Sequence, residues 1–352
     1  MNDTISLLKK LITASGLSGH EAPVRGLIEE AWSPLIDEVS YSRIGSLHGL
    51  KRGTAPEPRP SILIAAHMDA IGLMVTEIVA GLLRVTAVGG VDVRVLPGQM
   101  VTVHGRDDLP GVISHLPAHM LPEDVRRKTI PLEYLIVDTG QPPGRVERLV
   151  RVGDLVSFAQ PPMETLGETL VGHTMDNRTS VAALTSCLQL LQERPHSWDV
   201  WAVASVQEEV GLVGAFTSAY QIRPSLAIAI DVTWASGPGS PSHKTFPLGK
   251  GPTLVWGPNI HPALHQRFKD LAERLEIPHT IEVTPRHSGT DAYALQVAAE
   301  GIPTRVIGIP LRYMHTPVEM VALKDITRSG RLMAEFISQL SPDFMHDLTW
   351  DD

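Results

Sequence analysis

Cysteine is nearly missing from this 352-residue chain: Cys187 stands alone, which excludes an intrachain disulfide and a structural metal site built on thiolates. Its surroundings, "SVAALTSCLQLL", follow an amphipathic helical pattern, so the thiol is expected to pack inside a helix. Long apolar runs are missing as well. No stretch of about 20 apolar residues occurs, and no membrane span is expected. The opening "MNDTISLLKKLITASGLSG" does not read as a secretory signal: Leu7, Leu8, Leu11 and Ile12 repeat at helical spacing, and Lys9 and Lys10 interrupt any apolar segment. A cytoplasmic location is the expectation. Positive charge is short, with 30 Lys and Arg against 39 Asp and Glu for a formal charge of −9. No basic stripe offsets that repulsion, so nucleic acid and anionic membranes are poor partners.

What remains is ordinary soluble composition, 43 % hydrophobic and 20 % charged. The length exceeds what one hydrophobic core usually serves, which points to a large domain plus a smaller one. Residues 1 to about 70 read as helix, polar loop and strand, ending in "PSILIAAHMDAIG". Residues 71–165 are rich in Val, Thr, Gly and Pro. Their short strand-like runs, "LMVTEIV", "LLRVTAVG", "QMVTVHG", "EYLIVDTG" and "DLVSFA", are separated by turn signals, the pattern of a small β-barrel or sandwich. From 166 onward helices and apolar strands alternate: helix 178–193, strand 199–206, "LAIAID", helix 262–275, a strand near 280, helix 291–300 and "TRVIGIP". The fold class expected is α/β, a mixed sheet flanked by helices, formed by residues 1–70 and 166–352 and interrupted by a β domain at 71–165.

The chemistry-bearing residues gather at the carboxyl ends of apolar strands. "SILIAAHMD" ends in His67 and Asp69, "VWAVASVQEE" in Glu208 and Glu209, "LAIAID" in Asp231, and "TRVIGIPLRYMH" leads into His315. Asp176 in "GHTMDNRTS" stands just before a helix, where an Asp is ordinarily an N-cap. In open α/β sheets ligands bind outside the carboxyl ends of the strands, so these groups would converge on one crevice. Buried carboxylates gathered there repel one another and cost several kcal/mol unless a cation neutralises them. Imidazole and carboxylate donors suit Zn²⁺, Co²⁺ or Mn²⁺, and two histidines with three carboxylates suffice for two divalent ions. Asp176 is the natural bridge, with His67 and Asp231 on one ion and Glu209 and His315 on the other, or a permutation of that pairing. Asp69 is expected to accept the ring N–H of His67 and fix its tautomer. Neighbouring side chains of an extended chain point to opposite sides, which divides the two glutamates. Glu209 is assigned to metal, and Glu208 to general base for metal-activated water, passing the proton to a leaving amine.

In the order "AAHMDAIGLMV", "GVISHLPAHM", "GDLVSF", "MDNRTSVAAL", "SVQEEVGLVGA", "AIDVT", "GKGP", "SGTDA" and "RYMHTPVE", the chain resembles the M42 metallo-aminopeptidases, the tetrahedral aminopeptidases related to glutamyl aminopeptidase. The resemblance implies a zinc-exopeptidase-like catalytic domain, an inserted PDZ-like domain for oligomerisation and access, and two divalent ions, usually zinc or cobalt. It implies metal ligands at His67, Asp176, Glu209, Asp231 and His315, with Glu208 as base and Asp69 as orienting carboxylate. It further implies a homo-dodecamer whose sites face an inner chamber reached by peptides with a free amino terminus. Where the family commonly reads H-x-D-E-x-G, this chain has Ala70 in place of the glutamate, and His173 stands where lysine is common. His173, His287, Gly289 and Thr290 are the candidates for substrate contact, with Arg286 beside them.

Two other readings compete. A glycoside hydrolase needs carboxylates facing each other across a sugar ring, at least about 5 Å apart, whereas Glu208 and Glu209 are adjacent and aromatic stacking platforms are few, at 5 % of residues. A non-catalytic assembly protein of the same fold would be expected to have lost a ligand, and none of the five is substituted.

Overall fold

The computed structural model describes residues 2–348 and 350. Helices α1 (Asn2–Thr13) and α2 (Ala22–Trp32) precede strands β1 (Glu38–Tyr41), β2 (Leu47–Lys51) and β3 (Ser61–His67). The chain then runs through β4 (Gly72–Val79), β5 (Leu82–Val88), β6 (Met100–His104), β7 (Asp108–His115), β8 (Leu135–Asp138), the short helix α3 (Pro143–Leu149) and β9 (Leu155–Phe158). It returns through β10 (Met163–Thr165), β11 (Thr169–Gly172), α4 (Met175–Leu190), β12 (Asp199–Ser205), α5 (Val213–Ile222) and β13 (Leu226–Trp234). The last elements are β14 (Thr253–Trp256), α6 (Pro262–Arg274), β15 (Thr280–Val283), α7 (Asp291–Gln296), β16 (Thr304–Arg312), β17 (Glu319–Ala322) and α8 (Leu323–Ser338).

Eleven strands form one mixed sheet in the order β1-β2-β12-β3-β13-β16-β17-β11-β10, with β14 paired to β16 and β15 to β14. The central β12, β3, β13 and β16 are parallel, so their carboxyl ends share one edge. Helices cover both faces, and the strands are apolar on both sides because neither side meets water. Side chains nevertheless differ in size between the two faces. Ile62, Ile64, Leu226, Ile228 and Ile230 face the large core beneath α1, α2, α4 and α8. Their strand neighbours Ala65, Ala227 and Ala229 face a second, smaller core that takes Ala215 and Ala219 from α5 and Ala292 and Leu295 from α7. On β13, and at Ala65 of β3, the small residues thus face α5 and α7; β12 reverses the pattern, with Val203 on that face and Ala202 and Ala204 on the other.

Between β3 and β10 the chain makes a closed antiparallel barrel, β4-β5-β8-β7-β6-β9, with its own core that includes Leu73, Val75, Val103, Ile113, Val137 and Val156. The barrel strands span Gly72 to Phe158, and β10, which falls within the 71–165 stretch expected to be barrel, pairs into the large sheet through β11. Strand β7 escaped the sequence pattern because Pro110 interrupts its run; the proline lies opposite Thr102 on an exposed position of the barrel. The helix expected over 291–300 stops at Gln296, where the chain turns through positive φ at Ala299 and Gly301. Cys187 is buried in α4, as expected, although that helix is buried all round from Met175 to Leu188 rather than amphipathic. Among the described residues no helix is long and apolar enough to cross a membrane.

Candidate active site

Strand alternation aims the first two groups. His67 continues the small-residue face of β3 after Leu63 and Ala65, and Asp231 continues that of β13 after Ala227 and Ala229. Strand β13 runs on to Trp234, so Asp231 lies inside the strand, paired in register with Gly308, rather than at its end.

Asp176 is not acting as a helix cap. Its backbone and that of Asn177 depart from helical torsions, Thr174 before it has a φ of 63°, and no side-chain capping bond is made. The carboxylate instead divides between two rings, Oδ1 lying 3.1 Å from His67 Nε2 and Oδ2 lying 3.5 Å from His315 Nε2.

The two glutamates also diverge, by a different route from the one alternation suggested. Glu208 and Glu209 lie beyond the end of β12 in a turn, entered through a positive φ of 56° at Gln207 and closed by the Gly211 N–H donating to Glu208 O at 3.0 Å. This turn sends Glu208 Oε2 to 3.8 Å from His67 Nε2 and Glu209 Oε2 to 3.7 Å from His315 Nε2. Asp231 Oδ1 lies 3.7 Å from the same His67 nitrogen. Two overlapping groups of donor atoms result, one from His67, Asp176 and Glu209 and one from His67, Glu208 and Asp231, each with its atoms within 4.8 Å of one another. All six side chains line one cleft of about 510 Å³.

Three further carboxylates hold this arrangement by taking backbone amides. Asp69 accepts the Glu208 N–H at 3.0 Å, the Glu209 N–H at 3.2 Å and the Ser18 hydroxyl at 2.6 Å. His67 Nδ1 faces Asp69 as well, 3.3 Å from its carbonyl and 3.4 Å from its carboxylate. Glu319 accepts the His315 N–H at 2.9 Å and the Asp176 N–H at 3.2 Å, tying the loop after β16 to the start of α4. Glu21 takes the amides of Gly19 and Gln207 at 2.7 and 3.2 Å. Neither Glu319 nor Glu21 was singled out by the sequence. Glu319 closes the "RYMHTPVE" motif four residues after His315, and that spacing was the one available signal.

Burial dominates the electrostatics. It pushes the Glu208 carboxyl up to about 10 and, with Asp176 adding repulsion, that of Glu209 up to about 7. Asp231 and Glu319 are raised well above the usual range by burial, with Asp176 adding to it at both. Burial works the same way at Asp176, yet the His315 and His67 rings on its two oxygens outweigh it and hold that carboxyl low. The Asp176 hydrogen bond in turn lifts His315 to about 9. Burial and mutual repulsion thus raise the proton affinity of Glu208, Glu209 and Asp231 together. A divalent cation relieves that repulsion, and imidazole nitrogens with carboxylate oxygens are a donor set that zinc-like ions accept. The residues fit a metal centre.

The remaining candidates divide. His287, Gly289 and Thr290 line the cleft, and Thr290 also caps α7 by accepting the Ala292 N–H. His173 does not line it. That ring is buried edge-on against Phe158 of the barrel, 4.8 Å between centroids, where burial and the nearby Arg178 lower it to about 3. Arg286 is exposed and outside the cleft lining. Ala70, buried at the root of the barrel, bridges to Leu17 and accepts the Ser18 N–H.

An α/β sheet carrying an inserted barrel is the architecture of solved TET peptidases. The family model described as M42 glutamyl aminopeptidase matches residues 45–332, and the chain belongs to that family. It is 36 % identical to lysyl aminopeptidase of Pyrococcus furiosus, over 96 % of this chain and 97 % of that one. The TET aminopeptidase of a marine sediment Thaumarchaeota archaeon superposes with a TM-score of 0.93 at 31 % identity, covering 99 % of both chains. The TET1 peptidase of Pyrococcus horikoshii, which can assemble into a tetrahedron or a large octahedral shell, superposes with a TM-score of 0.83 at 31 % identity, over 96 % of this chain and all of that one.

Proposed function

We propose that the chain is a dinuclear-metal aminopeptidase that removes N-terminal residues from peptides. The observation that carries this reading is the divided Asp176 carboxylate, one oxygen toward His67 and the other toward His315. Around it, His67, Asp176 and Asp231 would hold one ion, and Asp176, Glu209 and His315 would hold the other, with zinc or cobalt the best fit and manganese an alternative. When bound, the ions polarise the scissile carbonyl and make water a stronger acid. Glu208 accepts the proton of the attacking water and delivers it to the leaving amine; burial raises its proton affinity, and cations bound beside it would bring that affinity back down into the range of a base. Asp69 does not touch the substrate; it fixes the His67 ring and the turn that carries both glutamates. Membership in the M42 family supports the activity. Residues 1–70 together with the chain from β10 onward form the catalytic domain, and the inserted barrel between them serves oligomerisation and access, in a homo-dodecamer that admits peptides with a free amino terminus.

Protein stripped with chelator should be silent toward aminoacyl-p-nitroanilides and regain cleavage with Zn²⁺, Co²⁺ or Mn²⁺. Glu208→Gln should bind the ions yet lose at least about 100-fold in kcat. Cleavage that persists without metal, or that survives the substitution, would overturn the mechanism.

A further inference from the structure

One half-buried carboxylate in the cleft takes no part in the chemistry above. Glu282, on β15, lines the same cleft as the donor cluster. Its Oε1 accepts from the Thr233 hydroxyl at 3.0 Å and its Oε2 from the Thr253 hydroxyl at 2.7 Å. Among the described residues these two hydroxyls are its only polar partners, with no basic group among them. A half-buried carboxylate held by neutral hydroxyls has its proton affinity raised by desolvation and keeps lone pairs free for a donor.

We propose that Glu282 determines specificity, selecting a lysine or arginine side chain on the residue that is removed. The inference rests on the aminopeptidase reading and adds its substrate class. Position along the strand supports it. Thr233 follows Asp231 by two residues on β13 and therefore points to the same face, roughly 7 Å further along. A substrate whose amino terminus and scissile carbonyl sit over the donor cluster would thus reach Glu282 with a side chain about as long as the four-carbon stem of lysine. Leu212, Val255 and Val306 line the way with aliphatic surface suited to that stem. The gap is kept open at Gly308, the register partner of both Asp231 and Thr253, where a Cβ would collide with the Thr253 hydroxyl that holds Glu282. Repulsion works against the opposite choice: an acidic side chain would meet Glu282 as well as the donor carboxylates. His287, the one basic side chain of the lining outside the donor cluster, is at the exposed rim and leans on Tyr293 with ring centroids 5.0 Å apart.

The test compares kcat/KM of the metal-loaded enzyme on Lys-, Arg-, Leu-, norleucyl- and Glu-p-nitroanilides. Native protein should favour Lys and Arg over Leu and norleucine by about tenfold or more, the scale of a charge-assisted hydrogen bond. Glu282→Gln, of equal size, should lose that advantage while its Leu rate stays within about threefold. Glu282→Asp should retain part of the preference. Equal loss on every substrate, or no basic preference in native protein, would overturn the proposal while leaving the aminopeptidase reading intact. If no unblocked substrate is cleaved, that reading fails, and calorimetry of L-lysinamide against L-norleucinamide still decides this one. Tighter binding of lysinamide, abolished in Glu282→Gln, supports it; equal affinities, or binding of neither, overturn it.

Discussion

Carboxylates in this protein do two different kinds of work, and their partners tell them apart. Asp176, Glu208, Glu209 and Asp231 face imidazole nitrogens across the cleft, whereas Asp69, Glu319 and Glu21 are occupied by backbone N–H groups. The second kind positions the first. Glu319→Gln keeps the size of the side chain but gives it one acceptor where two amides need one each. It should cost about 1–3 kcal/mol in stability and lower metal affinity by roughly 10–100-fold, measured by thermal melting and by metal content after dialysis. An unchanged metal content would mean that Glu319 does not position the donors. His48 tests a separate effect. Burial holds its ring at about 4, its Nδ1 has no partner among the described residues and its Nε2 meets the Ser218 hydroxyl at 2.9 Å. The folded ring is therefore neutral through a range in which the unfolded ring, near 6.5, takes a proton. Its contribution is constant above about pH 6.5 and declines from there toward pH 4, by on the order of 3 kcal/mol in total. Urea unfolding at pH 7, 6 and 5 should show a smaller acid loss in His48→Gln than in the native chain.

At the scale of elements, the small-residue face of the sheet decides where the cleft lies. Ala65 and Ala229 allow α5 and α7 to sit close to the strands, and the next residues on that face, His67 and Asp231, emerge at the edge of the contact. Ala229→Leu would overpack this layer while leaving the large-core face untouched. It should destabilise the protein by about 1–3 kcal/mol, read as a lower urea midpoint, and an unchanged midpoint would show that the layer has slack. Much of this scale was legible beforehand. The runs "SILIAAH" and "LAIAID" became β3 and most of β13, and the parallel centre of the sheet followed from helix-strand alternation. The strands β1, β2, β10, β11 and β17 were not legible, being segments of three to five residues, too short for alternation to show; β2, β11 and β17 also pair with strands far along the chain. Helix α5 was missed because "VGAFTSAYQI" places Ala, Thr and Ser where a stronger apolar stripe would have marked a helix.

The whole molecule joins a barrel with its own core to a sheet whose active edge begins where the barrel is inserted, just after His67 and Asp69. That placement ties the insert to the cleft rather than to a remote surface. If the barrel mediates assembly, as proposed, light scattering should report the mass of a dodecamer. A version with the exposed barrel residues Met100 and Met120 changed to lysine would show whether this face is used, since buried charge weakens association. A native chain that remains a monomer or dimer at every concentration would remove the chamber from the account.

The amino-acid sequence by itself determined the chemical inventory: two histidines and a set of carboxylates at strand ends, a single inert thiol, and an all-β stretch within an α/β frame. These depend on residue type and on periodicities inside one element, which a linear reading detects. Tertiary structure alone decided which carboxylate faces which ring, because Glu208 and Glu209 are separated by a turn through Gln207 and not by strand pleating. It alone revealed Glu319 under Asp176, 143 positions away, and Glu282 against Thr233, 49 positions away. Contacts at such separations are made by sheet order and loop closure, so no local pattern announces them. The same topology leaves His173 buried against Phe158, outside the cleft that its place three residues before Asp176 had suggested it would join.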